Sequence, residues 1–264
     1  MNAYPPHRSK LAFSLVELSI VLVILGLLVG GVLAGQSLIR AAELRAITTE
    51  YARYVTAVGS FRDKYFALPG DMTNATAFWN AADGSTGNTV GCVTTAGTST
   101  QTCNGNGDGI VYPSTSSQES YRYWQQLANA GLIEGSFDGI THGSTINSST
   151  TANSPSSKLT NGLWWVWYYS TLSGSSLYFD GTYGTFLMLG KPTANTYPAL
   201  GILKPEELWN IDTKLDDGKP ATGKVVVYAN GGLATCTDTG TSSTLTASYL
   251  LTSSATVCNP VFRN

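Results

Sequence analysis

The sequence predicts an α+β protein, a long N-terminal helix followed by a mainly antiparallel sheet with long loops. Three observations carry this. Residues 13–35 form an apolar run of membrane-spanning length with one acid, Glu17, near its start. Ile47, Tyr51, Tyr54, Val58, Phe61 and Tyr65 then recur at alternating spacings of four and three, which is one face of a continuing helix. Further on, short segments rich in aromatic and β-branched residues alternate with Gly, Asn and Asp punctuation. Strands that follow a helix, rather than alternate with helices, indicate α+β.

In chain order, the first helix covers roughly residues 13–66 and stops before Leu68-Pro69-Gly70. Its first half faces lipid. The aromatic stripe of its second half faces a sheet, with Arg45, Glu50, Arg53, Arg62 and Asp63 between the stripe positions. Gly26/Gly30 and Gly31/Gly35 have the spacing that lets helices approach closely in lipid. Each glycine also weakens the helix by about 1 kcal/mol relative to Ala, so local melting between Gly26 and Gly35 stands beside plain packing as a reading. Residues 71–82 read as a short helix or ordered loop, and 83–109 as a Gly/Thr/Ser/Asn-rich loop. Ser116-Ser-Gln-Glu119 has the form of a capping box for a helix near 118–130, closed by Gly131. Strands are expected at Leu163–Tyr169, Ser176–Phe179, Thr185–Leu189, Lys224–Ala229 and Ala247–Thr252. A short helix is expected at Pro205–Leu215, with Pro205 in its first turn.

Charged residues make up only 12% of the 264, and the net charge of −2 comes with no basic patch, so a nucleic-acid partner is not expected. The four cysteines, Cys92, Cys103, Cys236 and Cys258, form no C-x-x-C. They permit three connectivities, of which Cys92–Cys103 with Cys236–Cys258 is the simplest for an exported, loop-rich chain.

An ionised carboxylate at the depth of Glu17 costs roughly 2.5–3.5 kcal/mol on insertion scales, so it calls for a partner. One reading makes the segment a secretory signal, with Arg8 and Lys10 as its basic start and a small-residue cut after Ala34. That would release a soluble binding module, with a carbohydrate as a candidate ligand. A plain membrane anchor is a second reading.

The third rests on Lys10-Leu11-Ala12-Phe13-Ser14-Leu15-Val16-Glu17, which resembles the cleavage and methylation motif of type IV pilins and of type II secretion pseudopilins. The resemblance covers the leader and first helix. It implies a pilin-like fold, a leader at 1–12, a cut between Ala12 and Phe13, and N-methylation of Phe13 by a prepilin peptidase/methyltransferase. The family nearly always has Gly before the cut, where this chain has Ala12. The resemblance further implies that residues 13–35 are the transmembrane and assembly half of the helix, and that 36–264 form a globular domain containing its amphipathic half. It makes the chain a non-enzymatic structural subunit held in the bacterial inner membrane, with its globular domain in the periplasm. An assembly platform then polymerises it with other pilin or pseudopilin subunits into a pilus or pseudopilus. In such a bundle Glu17 of one subunit meets the Phe13 ammonium of a neighbour and sets register. The large loop-rich globule points to a minor or specialised subunit, with adhesion as one role.

Within the globule, Asn104-Gly-Asn106-Gly-Asp108-Gly109 places oxygen side chains at alternate positions, like the first half of a calcium loop. Its twelfth position is Thr115, so Glu119 or Asp83 must complete it. Calcium is therefore a candidate ligand, with an Asn/Gly turn as the alternative. Asp216-Asp217-Gly218 reads as a turn leading into the strand at Lys224. In Trp164-Trp165-Val166-Trp167-Tyr168-Tyr169, alternation sends Trp165, Trp167 and Tyr169 to one face. One face is read as core and the other as a subunit contact or sugar platform. The only histidines are His7 and His142, and no nucleophile, phosphate-loop or zinc spacing occurs, so catalysis has little support.

Overall fold

The structure is a computed structural model. It describes residues 14–84, 92, 94–113, 118–229 and 231–263. The chain divides into two units, Met1–Glu43 and Leu44–Asn264.

Helix α1 runs Leu15–Tyr65 and is continuous through Gly26, Gly30, Gly31 and Gly35. A Cβ added at any of these four glycines meets nothing within 4 Å. A 3-10 turn at Ala75–Ala77 follows, then α2 (Glu119–Asn129), β1 (Leu163–Leu172), β2 (Gly181–Gly190), α3 (Pro205–Leu215), β3 (Val225–Ala229), a 3-10 turn at Leu233–Thr235 and β4 (Cys258–Arg263). The four strands form one antiparallel sheet in the order β1-β2-β4-β3.

Several expectations need correction. Ser176–Phe179 and Ala247–Thr252 make single bridges, Tyr178 to Tyr228 and Thr237 to Tyr249, rather than strands. The Ser175 hydroxyl takes the N–H groups of Leu177 and Tyr178, which turns the first segment after one contact. The fourth strand, Cys258–Arg263, is absent from the expected strands, and it carries Pro260, a residue that argues against a strand inside a sheet. The register explains why it is tolerated. Val227, opposite Pro260, donates its N–H to Pro220 on the far side, so this pair exchanges no backbone hydrogen bond. The missing N–H of Pro260 instead points toward β2, beyond the last paired residue, Val261. Helix α2 also starts differently. Its N-cap is Gln118 in a left-handed conformation with no side-chain cap, and Ser116 lies outside the described residues. Glu119 is drawn instead to the loop before the helix, where it accepts the N–H groups of Asn106 and Tyr112. The C-terminus follows expectation: Gly131 (φ 72°) and Leu132 return hydrogen bonds to Ala128 and Leu127.

Both faces of the sheet are covered. On one, Trp164, Val166, Leu187, Val227 and Phe262 pack with Ile47, Tyr54, Ala57 and Phe61 of α1 and with Trp124 of α2. The Tyr54 ring sits edge-on between Trp124 and Trp164, at 5.1 and 5.4 Å. On the other, Trp165, Trp167, Tyr178, Tyr183, Phe186 and Tyr228 form a second cluster with Tyr121. The aromatic run of β1 is therefore core on both sides, and Trp165 and Trp167 offer no exposed platform.

Glu50 departs most from its sequence reading. It is buried among the apolar stripe of α1, and its carboxylate accepts the Ser157 hydroxyl (2.6 Å), the Lys158 N–H (2.7 Å) and the Trp164 indole N–H (2.8 Å). Glu50→Ala strands the buried Trp164 indole N–H and the part-buried Lys158 N–H, so we expect it to lower unfolding free energy by about 2–4 kcal/mol. Urea denaturation of the detergent-solubilised chain measures this, and a loss below about 1 kcal/mol would show that the network is dispensable.

Candidate functional site

Two regions carry the sequence-derived site residues. In the first, Ser14 and Glu17 cap the start of α1. The Glu17 carboxylate accepts the Ser14 N–H at 2.9 Å, and the Ser14 hydroxyl accepts the Val16 N–H at 3.2 Å. Before any assembly, then, the single acid of the apolar segment is held by its own chain. Ala12 and Phe13, the residues of the expected cut, lie outside the described residues. Within α1, an 18-residue window with mean hydropathy 2.7 is 0% buried, and the helix is long and apolar enough to cross a membrane.

The second region is the loop around Asn104–Asp108. The structure brings together Asp71, Asp108 and Glu119, each offering a carboxylate oxygen within 4.8 Å of the others. Asn104 accepts the Thr76 N–H, and Asn106 accepts the Asp108 N–H while donating to the Asp108 carboxylate. Asp83 is not among the three converging acids.

Asp71 is the residue that sequence reasoning missed. It follows the helix-terminating Leu68-Pro69-Gly70, more than thirty residues before the loop it organises, and no spacing rule joins the two. Its carboxylate accepts three successive backbone N–H groups, from Gly107 (2.6 Å), Asp108 (3.2 Å) and Gly109 (2.9 Å). The close approach explains Gly105, where a Cβ would stand 2.4 Å from the Asp71 backbone. It explains Gly70 too, at φ 84° with a Cβ position 2.4 Å from the Glu119 carbonyl oxygen.

Burial raises the Asp71 carboxyl above the ordinary range, opposed by its N–H donors. Burial also pushes Glu119 up to about 7, with the charges of Asp71 and Asp108 adding to the rise. A cleft of about 940 Å³, lined by Gly59, Arg62, Asp71, Thr73, Gly107 and Gly109, gives access from solvent. As a cation site the arrangement supplies three converging carboxylates of hard-oxygen chemistry. These three residues fit such an ion.

A second acidic group is Asp212, Asp216 and Asp217. It is a turn device, in line with the sequence reading. Asp216 accepts the N–H of Val225 at 3.2 Å and that of Lys224, and Asp217 accepts the Lys219 N–H at 2.9 Å. Asp212 is buried against the Tyr249 hydroxyl (2.8 Å), and burial pushes its carboxyl up to about 7. His142 pairs with Asp138 at the surface.

The cysteines pair locally in sequence, Cys92–Cys103 and Cys236–Cys258. The first pair is gripped by Arg122, a fully buried guanidinium that donates to the carbonyls of Cys92 (2.8 Å), Thr95 (3.0 Å) and Asp138 (3.3 Å). Burial lowers the Arg122 pKa to about 10.

Residues 7–33 match the family described as the prokaryotic N-terminal methylation motif. This match supports the type IV pilin and pseudopilin family, and the long helix with its antiparallel sheet is consistent with a pilin-like fold. No curated protein and no solved structure matches the chain.

Glu119 and Asp212 bind protons more tightly folded than unfolded, so the folded state holds more protons between about pH 4.5 and 7 and loses stability as pH rises through that window. The melting temperature is expected to be higher at pH 5 than at pH 8. Glu119→Gln should flatten the dependence, and Glu119→Gln with Asp212→Asn should remove most of it. Parallel curves for wild type and both variants would contradict the assignment.

Proposed function

We propose that the chain is a structural subunit, minor or specialised, of a type IV pilus or type II secretion pseudopilus. The observation that carries the reading is the methylation motif over residues 7–33, joined to an apolar helix whose window is 0% buried. Such a helix is stable in lipid, or among copies of itself, but not in water. In this reading a prepilin peptidase cuts between Ala12 and Phe13 and methylates the new terminus. The chain then waits in the inner membrane with its globule in the periplasm until an assembly platform extracts it.

The bond from the Ser14 N–H to the Glu17 carboxylate supports a two-stage role for Glu17. In the stored subunit the Ser14 N–H occupies the carboxylate. In the filament the Phe13 ammonium of a neighbour replaces it, and a subunit out of register leaves a charge stranded in apolar surroundings. Gly26, Gly30, Gly31 and Gly35 let the packed helices approach closely. N-terminal mass spectrometry tests the processing. N-methyl-Phe13 is the expected terminus, whereas Gly35 would establish the secreted alternative with its cut after Ala34. Glu17→Ala is expected to insert in the membrane normally and to abolish assembly. Filaments at wild-type yield from that variant would sink the register role.

A calcium ion held by Asp71, Asp108 and Glu119 is the second part of the proposal, supported by the convergence of three carboxylates from separate segments. Bound calcium would neutralise their mutual repulsion and lock the loop that joins Asp71 to α2. Saturating calcium at about a hundred times its dissociation constant should add about 2.7 kcal/mol at pH 7.5. The gain should vanish in Asp71→Asn and weaken near pH 5, where protons compete at Glu119. Equal melting temperatures in chelator and in millimolar calcium would rule the ion out.

A further inference from the structure

Asn-Gly pairs stand at Asn104, Asn106, Asn161 and Asn230, the last outside the described residues. Such a pair can react with itself. A glycine nitrogen, with no Cβ beside it, reaches the side-chain carbonyl carbon of the asparagine before it. The nitrogen attacks only as it gives up its proton, so the group that holds that N–H decides which pair reacts. The Gly105 N–H donates to the Met72 carbonyl (2.8 Å), and the Gly162 N–H donates to the Leu159 carbonyl (2.8 Å). A peptide carbonyl is too weak a base to take a proton, whereas a carboxylate is an ordinary general base. The Gly107 N–H donates to Asp71 Oδ1 at 2.6 Å. Among the described Asn-Gly pairs, this one alone has a carboxylate on its attacking nitrogen.

The electrophile is held too. Asn106 Oδ1 accepts the Asp108 N–H at 3.0 Å, which folds the side chain back along the Gly107 peptide. Its Nδ2 donates to Asp108 Oδ2 at 2.8 Å. Asn106 and Gly107 are exposed, and Gly107 lines the cleft that runs past Arg62 and Asp71, so water reaches the pair.

We propose that Asn106-Gly107 is a self-modifying site, at which Asp71 serves as the base for conversion of the Asn106 amide to a carboxylate. The Gly107 nitrogen passes its proton to Asp71 Oδ1 and bonds to Asn106 Cγ, which closes a five-membered ring. The Cγ–Nδ2 bond breaks, the proton on Asp71 goes to the departing nitrogen, and ammonia leaves. Water then opens the cyclic imide at one of its two carbonyls, giving aspartate or isoaspartate. One water is consumed, one ammonia is released and Asp71 is restored. Asp108 also precedes a glycine, and Asp71 Oδ2 accepts the Gly109 N–H at 2.9 Å. A carboxylate has no amine to lose and is a poor electrophile, so the reaction falls to Asn106.

The product places a carboxylate where Asn106 had donated to Asp108, a fourth acid beside Asp71, Asp108 and Glu119. The charge of the loop thus becomes more negative as the chain ages. The chemistry goes beyond the calcium reading and does not depend on it.

The test incubates the full chain in detergent, in heavy-oxygen water with chelator to keep any ion off Asp71. Peptide mass spectrometry then follows amide-to-acid exchange at each Asn-Gly pair, and the heavy oxygen marks conversion during the incubation. Asn106 is expected to convert at least about tenfold faster than Asn104 and Asn161, since a positioned general base contributes roughly 10²–10⁴ in rate. Asp71→Asn keeps the shape and a carbonyl acceptor but loses the base, and should slow Asn106 on the order of a hundredfold. If Asp71 only ordered the loop, the same substitution would loosen it and speed the conversion, so unchanged or faster conversion in Asp71→Asn would overturn the proposal. Unfolding the wild-type chain in urea separates Asp71 from Gly107, and the rates at Asn104 and Asn106 should then converge. A preference for Asn106 that persisted in urea would trace it to local sequence and overturn the proposal, as would equal rates at Asn104 and Asn106 in the folded chain.

Discussion

The globular part is organised around a carboxylate in the core. Glu50 stands on the apolar face of α1, and its two oxygens hold the start of β1 and the turn before it through Trp164, Ser157 and Lys158. An ionised group there is costly unless its hydrogen-bonding capacity is met, and three donors meet it. The consequence is directional. Apolar packing alone would let a helix slide along a sheet, whereas a carboxylate with three fixed donors permits one position. The aromatic contacts of Tyr54 with Trp124 and Trp164 then fall into place around it.

The same device recurs in the loops. Asp71 gathers three N–H groups of the Gly107–Gly109 turn, and Arg122 gathers three carbonyls around the first disulfide loop. Both are charged groups buried beside irregular backbone, and that backbone cannot satisfy itself as a helix or sheet does. The described parts of the Ser/Thr/Asn-rich segments are thereby held by hydrogen bonds. At the Asp71 site the cost shows as raised carboxyl pKa values, the electrostatic condition that a proton or a cation relieves.

The N-terminal helix exposes an apolar surface with one acid, whose carboxylate accepts the Ser14 N–H. The sheet is covered on both faces by aromatic and aliphatic clusters.

The sequence alone determined what is periodic or local: the extent of α1, its buried stripe, the Pro205–Leu215 helix, the Gly131 stop, three of the four strands and the sequence-local cysteine pairs. Each follows from steric or hydrophobic rules that act within a few turns of chain. Tertiary structure decided the rest. Glu50 reads only as one of the polar residues between the stripe positions, because helical periodicity reports which face is apolar and not which polar group is matched by distant donors. Strand β4 carries Pro260, which is tolerated only because its missing N–H falls beyond the end of the β2 pairing. Asp71 joined Asp108 and Glu119 through folding alone, so the acidic cluster was half legible in Asn104–Asp108 and its central carboxylate was not. Contacts between residues far apart in the chain leave no spacing to read, and the buried charges that organise this protein depend on such contacts.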